Sequence, residues 1–342
     1  MLNCAYGGFP VTNRLIISTP PWQKHHAAPD PWRKFRLQSQ MEKNHSRSSV
    51  MQAAVLEPLQ SSALLARQRA PELCLADPVS RQNCAWNHGL WQYLRLLGLI
   101  TTPWHHASFF REAFGHVATG AATPRVLVSG AADYSMLAHV LAIFGEKNHS
   151  PAVTVVDRCD TPLFLNQWYA DRLSHSITTR RADILEYRDT SGFDLICSHS
   201  FLGQFDPPRR SQLMEKWRNL LQPGGLVATV NRVRPDESVT TVGFSDDQAR
   251  AFSAAVLRKA ETMREIIDVD PRQLADEARI YATRQRAWPV KSQDDIRQLF
   301  ECAGFQVVQL TCTPVTAGAN DTVRGPTTPG SADYACIIAR RL

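Results

Sequence analysis

Asp157 closes an apolar run, AVTVVD, and stands 27 residues after Gly130, the one glycine of the turn SGAADYSM. A carboxylate at the end of a strand can accept the hydrogens of both hydroxyls of a ribose. Gly130, Ala131 and Ala132 carry little or no side chain, so a ligand can come close to the backbone there. A dinucleotide loop needs three glycines, spaced so that a pyrophosphate rests on a helix N-terminus. Here only the first of those three positions, Gly130, is a glycine. Asp133 would place negative charge beside a pyrophosphate. The turn therefore disfavours an anionic ligand and tolerates one carrying an ammonium and a sulfonium. A second carboxylate, Asp183, follows a short strand in RRADILEY and is placed to meet an adenine amine.

Strands and helices must alternate to bring these residues to one edge. Strand candidates are RVLVSG, AVTVVD, SITTRRAD, FDLICSHS, GGLVATVNRV, FQVVQLTCT and DYACIIARR. Leu137, Val140, Leu141 and Phe144 repeat at helical spacing after the first strand, and Leu213, Trp217, Leu220 and Leu221 do so before QPGG. Apolar strands alternating with such helices predict a doubly wound, mostly parallel α/β sheet. A short connection between the last two strands predicts an antiparallel hairpin at the sheet edge. Residues 232–294 interrupt the alternation with two helical pieces, the first opened by a capping box of Ser245 and Gln248. Ser292 with Asp295 opens the next core helix. An insertion of that length reads as a lid or substrate wall. Residues 50–122 read as an N-terminal helical cap, with Pro58 as a break and Gly98 as a helix end. Residues 1–49 read as a disordered basic tail. The remainder, 123–342, is the ligand-binding domain that carries the insertion.

Taken together, FDLICSHSFLGQF, LLQPGGLVATV, LFECAGFQVVQL and YACIIARR resemble the class I S-adenosylmethionine-dependent methyltransferases. The resemblance covers about 125–342. It implies a seven-stranded Rossmann-like sheet, an enzyme acting on a small molecule, and S-adenosyl-L-methionine as cofactor. It further implies that Gly130, Ala131 and Ala132 pass under the methionine part and that Asp157, with Arg158 beside it, holds the ribose. Asp183 and Ile184 would flank the adenine, and Ser198 and His199 would face the sulfonium and the acceptor. The first motif departs from the family pattern: the usual acidic residue and repeated glycines are replaced by VLVSGAADYS.

Methyl transfer needs alignment of the acceptor, exclusion of water and, for some acceptors, removal of a proton. Candidate bases are His199, His88 and Tyr134. Tyr134 and Phe201 are expected to line the pocket, where rings can face a sulfonium. An enzyme that cyclises the aminobutyrate arm of the same cofactor and expels methylthioadenosine is a second reading. A non-catalytic binding protein of this fold is a third.

Composition narrows the partners. The chain has 342 residues, 44% hydrophobic and 20% charged, as in an ordinary globular protein. Of the formal charge of +6, +5 falls in residues 1–50, where seven basic residues face two acidic ones. The body is near neutral, so nucleic acid is not expected as a partner. No apolar run is long enough to span a bilayer. No secretory leader is evident, and a cytoplasmic location is expected. The eight cysteines form no C-x-x-C pair. They read as buried reduced thiols, with no disulfide frame or metal site expected. Oligomeric state is not encoded in any of these features.

Overall fold

The apolar runs form β1 (Arg125–Ser129), β2 (Ala152–Asp157), β3 (Ile177–Arg181), β4 (Phe193–His199), β5 (Leu221–Arg232), β8 (Phe305–Val315) and β9 (Ala332–Arg341). They make one seven-stranded sheet in the order β3-β2-β1-β4-β5-β9-β8. The first five are parallel to one another, and β9 runs antiparallel to both β5 and β8. This is the doubly wound, mostly parallel arrangement that the strand pattern predicts. The computed structural model describes residues 57–76, 83–118, 123–234, 240–315 and 332–342. All of these belong to one compact unit; the expected tail lies outside the described residues.

Alternation along each strand divides the interior. Val126 and Val128 share one core with Val153, Val155, Leu195 and Cys197, under α3 (Ala107–Val117), α4 (Ser135–Glu146) and α5 (Asp160–Arg172). Leu127, Val156, Ile196 and Val227 face the other way, under α6 (Pro207–Leu220) and α9 (Gln293–Cys302). Both faces of the central strands are covered, which is why they read as continuous apolar runs. Leu137, Val140 and Phe144 are fully buried, as the helical spacing requires. Burying each such side chain contributes roughly 1.5–3 kcal/mol.

Two local expectations change. QPGG is not a turn before β5 but part of it: β5 pairs with β4 at Phe193↔Leu221, and the next pair is Leu195↔Leu226. The intervening residues bulge, with Gly224 at φ +78°. The connection between β8 and β9 is residues 316–331, not a short turn, and β9 sits inside the sheet with β8 at its edge.

The N-terminal helices divide as well. The third, α3, packs on the sheet through Phe110 and Phe114. The second, α2 (Ala85–Leu96), packs instead on α7 (Asp246–Thr262) and α8 (Pro271–Arg284) of the insertion, while the first, α1 (Leu59–Leu73), lies against α2 and α5, giving Ala66 to the sheet core and Ala63 to a third core. Leu90 and Leu94 of α2 join Phe252, Leu274 and Tyr281 in that third core. Arg67 reaches Glu277 through both guanidinium nitrogens, at 2.6 and 2.7 Å. The expected capping box is present: Ser245 N–H donates to Gln248 Oε1 at 2.8 Å, and Gln248 N–H to Ser245 Oγ at 3.2 Å. A separate antiparallel ladder of β6 (Val242–Gly243) and β7 (Arg286–Ala287) joins the two ends of the insertion. No described helix is long and apolar enough to cross a membrane.

His139 and His106 lie at the contact of α4, α3 and the segment before α3, both almost fully buried. Burial pushes each down to about 4. Neither His139 ring nitrogen has a hydrogen-bond partner among the described residues. Unfolded histidine titrates near 6.5. The unfolded chain therefore takes up protons first, and stability that is full above pH 6.5 falls as the pH drops toward 4. His139→Leu is expected to remove one such linkage. Urea titrations should show the variant gaining about 2 kcal/mol more over wild type at pH 5 than at pH 7.

Candidate functional site

A cavity of about 210 Å³ opens at the carboxyl ends of the parallel strands. Its floor is built from strand ends. Gly130, Ala131 and Ala132 follow β1, Asp157 and Arg158 close β2, and Asp183 and Ile184 follow β3. His199 ends β4 with Ser200 and Phe201 after it, and Asn231 and Arg232 end β5 with Arg234 just beyond. The roof comes from His88 and Trp91 of α2, from Thr101 to Pro103, and from Gln285 and Trp288 of the insertion. This is the edge at which open α/β sheets bind ligands.

Gly130 has φ +71°, a conformation that side chains rarely adopt. A Cβ there would lie 2.2 Å from Cε2 of Phe201, whose ring rests on the glycine. Phe201 in turn packs edge-on against Phe205 at 5.0 Å. Gly130→Ala is expected to cost about 1–2 kcal/mol from the backbone alone, because the left-handed conformation crowds a Cβ. Ring displacement should add to that. Calorimetric melting of the variant, with ligand titration beside it, reads both effects.

Asp157 fastens the turn. Its Oδ2 accepts from Ala131 N–H at 2.9 Å and its Oδ1 from Cys159 N–H at 2.8 Å. Burial raises this carboxyl to about 6, against the lowering effect of those two amides. Each oxygen retains a second acceptor position. Asp183 Oδ1 accepts from Leu185 N–H at 3.0 Å, and its Oδ2 is 3.4 Å from Arg209 Nη2 and 4.0 Å from Arg158 Nε. Ile184 is buried at the same end.

Asp133 does not carry free charge to the ligand, contrary to the expectation from sequence. Its Oδ2 accepts from Trp91 Nε1 at 2.7 Å and is 3.1 Å from Arg95 Nη1. Its Oδ1 accepts from Ser135 N–H at 2.6 Å. Arg95 also reaches Glu57 and Gln92. The turn is thus held to α2 by a buried Glu57–Arg95–Asp133 group, with side chains 11%, 2% and 1% exposed. Burial pushes the Glu57 carboxyl up, opposed by Arg95.

Two expected site residues lie elsewhere. Tyr134 is fully buried and outside the cavity wall. Its ring stacks on Tyr169 at 4.6 Å, and its hydroxyl is 3.0 Å from Ser62 Oγ. Burial pushes the phenol far above its ordinary range, which removes it as a base. Ser198 is also fully buried, with Oγ 2.8 Å from Thr229 Oγ1 on the paired strand. One residue further on, His199 does reach the cavity. Its ring lies 5.4 Å from His106 and 6.4 Å from Tyr334. Burial, reinforced by His106, holds His199 well below the usual histidine range. It is neutral at pH 7, and its Nε2 has no partner among the described residues. His88, the remaining candidate base, has Nδ1 3.3 Å from Cys74 Sγ.

Sequence reasoning missed the far wall: Arg232, Arg234 and Tyr334. Burial lowers both arginines, Arg234 to about 10, and each remains cationic at pH 7. The rule that singled out Asp157 applies equally to the polar end of LVATVNRVR. Tyr334 required knowing that β9 is antiparallel, so that its N-terminal end meets the carboxyl edge. Arg210 holds this wall, donating to the carbonyls of Leu202 (3.1 Å), Phe205 (3.1 Å) and Trp288 (3.2 Å). Asn231 Oδ1 accepts from Leu202 N–H at 2.9 Å and fixes the same loop.

No family model and no curated protein matches the sequence. Among solved structures, the chain is similar to a SAM-dependent methyltransferase from Methanosarcina mazei, at 13% identity and TM-score 0.42, over 65% of this chain and 94% of that one. It is similar to the N-methyltransferase NodS from Bradyrhizobium japonicum in complex with S-adenosyl-L-homocysteine, at 15% identity and TM-score 0.41, over 74% and 97%. It is also similar to magnesium protoporphyrin IX methyltransferase from Synechocystis, at 10% identity and TM-score 0.43, over 82% and 100%.

Proposed function

We propose that this chain is an S-adenosyl-L-methionine-dependent methyltransferase acting on a small molecule. The observation that carries the reading is the Gly130 turn and the Asp157 carboxylate meeting at one cavity beyond β1 and β2. The residues fit the cofactor: Gly130, at φ +71° with Phe201 packed on it, bends the turn back toward β2, and the carboxylate keeps acceptor positions for two ribose hydroxyls. Asp157 and Arg158 would hold the ribose, Asp183 and Ile184 the adenine, and Gly130 to Ala132 the methionine part. Bound there, the cofactor supplies a methyl group made electrophilic by its sulfonium.

The chain's own residues do the rest. The roof of α2 and the insertion excludes water. Phe201 lines the space beside the turn and can face a cation. His199, held neutral, can accept a hydrogen bond from the acceptor and orient it. Its low basicity makes it a poor proton store, so the acceptor it suits is one already nucleophilic. Arg232 and Arg234 make the far end cationic, which suits an acceptor bearing a carboxylate or phosphate.

The same arginines support a second reading, in which they receive the cofactor's own carboxylate and the aminobutyrate arm cyclises with release of methylthioadenosine. Incubation of the full chain with S-adenosylmethionine alone, followed by product analysis, separates the two. Intact cofactor until a small-molecule acceptor is added, and S-adenosylhomocysteine afterward, supports the transferase. Methylthioadenosine without any acceptor supports the cyclase. No consumption and no binding would favour a binding protein of another ligand.

A further inference from the structure

The sequence spacing predicts no metal frame, yet the fold brings Cys74, Cys84, His88 and Cys159 together. The three cysteines are buried and His88 is partly buried at the cavity roof, and their ligand-type atoms lie within 4.8 Å of one another. Cys74 ends α1, Cys84 and His88 stand one turn apart at the start of α2, and Cys159 precedes α5. The closest approaches are 3.5 Å between the sulfurs of Cys159 and Cys74 and 3.6 Å between those of Cys84 and Cys159. Cys74 Sγ is 3.3 Å from His88 Nδ1.

These separations have a definite chemical meaning. A disulfide requires about 2.05 Å between sulfurs, and none of the pairs is so close. A tetrahedral zinc ion with Zn–S near 2.3 Å and Zn–N near 2.0 Å sets edges of roughly 3.7 Å between sulfurs and roughly 3.5 Å between sulfur and nitrogen. The observed contacts approximate the edges of that tetrahedron. Two of the cysteines are N-cap residues, Cys84 of α2 and Cys159 of α5, though neither sulfur makes a capping hydrogen bond. A helix N-terminus favours a thiolate over a thiol. Thr161 Oγ1 lies 3.1 Å from Cys74 Sγ, in place to donate to a ligating sulfur. The surroundings offer little else for cohesion. The local cluster holds these three cysteines with Ala70 and Ala85, and no leucine, isoleucine or phenylalanine.

We infer that Cys74, Cys84, His88 and Cys159 form a structural Cys3His zinc site that fastens α1 and α2 to the loop after β2. Three thiolates and a neutral imidazole suit zinc, and four protein ligands leave no open position for catalysis. The site has a direct mechanical link to the cavity. Cys159 supplies the amide that holds Asp157 Oδ1, so an ion on its sulfur would fix the carboxylate as well as the roof.

The test is metal analysis of the full chain, freed of any purification tag and prepared without chelator. One equivalent of zinc per chain is expected. Cys84→Ser and His88→Ala should each retain less than a tenth of it, while Cys302→Ser, at an exposed position, should retain it all. Should the ligand variants fail to fold, wild type prepared with cobalt must show the intense visible and near-ultraviolet bands of tetrahedral thiolate coordination. Chelation should also lower the melting temperature, and added zinc should restore it. A folded wild type with only trace metal and no cobalt–thiolate bands overturns the inference. So does a Cys84–Cys159 disulfide found in the native protein, or full zinc content in folded Cys84→Ser. None of these readouts depends on the proposed methyl transfer.

Discussion

Asp157→Ala is expected to weaken S-adenosylmethionine binding by at least a hundredfold. The carboxylate would accept from two ribose hydroxyls, and hydrogen bonds to a charged group contribute roughly 1.5–3 kcal/mol each. Losing both already accounts for about two orders of magnitude. The variant also strands two buried amides, Ala131 N–H and Cys159 N–H, that Asp157 now accepts. Asn is no substitute. Its amide nitrogen would face one of those two N–H donors, so Asp157→Asn should lose nearly as much. Isothermal titration of both variants measures this, with thermal melting to separate ligand loss from unfolding. Affinity within threefold of wild type in either folded variant would contradict the assignment of Asp157.

The second large effect is on stability. Arg95→Leu should destabilise the chain by about 3–5 kcal/mol, the usual cost of leaving buried charge without its partner. Arg95 is the sole cation within contact of both Glu57 and Asp133 among the described residues, and its side chain is 2% exposed. Its guanidinium also covers the Tyr134 ring at 5.4 Å. Arg95→Lys keeps the charge but cannot reach both carboxylates with a planar fork, and should lose less. Glu57 gives the effect a pH signature. Burial already pushes its carboxyl up, and without Arg95 it would take a proton more readily still. A carboxyl raised in the folded state favours folding as the pH falls through its folded value. The deficit of Arg95→Leu in urea titrations should therefore shrink from pH 7 to pH 5. A loss below 1 kcal/mol at pH 7 would show that the group is not a structural anchor.

What could be read from the residues, and what could not, follows the range of the physics involved. Strands β1, β2 and β4 are runs of Val, Leu and Ile covered on both faces, and local composition suffices to find them. The spacing of Leu137, Val140 and Phe144 likewise fixes one buried face without outside information. The place of Asp157 at the cavity was legible because strand ends meet at one edge in any open parallel sheet; the same rule points to Arg232 and Arg234, which went unnamed from the sequence. Ser198 failed by one residue: strand alternation puts it beside Thr229 inside the sheet, and His199 at the rim. Tyr134 failed for another reason. Its partners, Ser62 and Tyr169, come from α1 and α5, and nothing near it in the chain announces them. The charge of Asp133 was misread because Arg95, 38 residues earlier, cancels it. Cys159 is likewise remote in sequence from Cys74, Cys84 and His88, so no local spacing marks the cluster.

The most direct measurement is equilibrium binding of S-adenosylhomocysteine to the wild-type full chain, with NAD under the same conditions. One saturable site for S-adenosylhomocysteine and thermal stabilisation by it are expected, with neither effect from NAD. A folded chain that ignores S-adenosylhomocysteine, or that binds NAD in its place, would contradict the cofactor assignment.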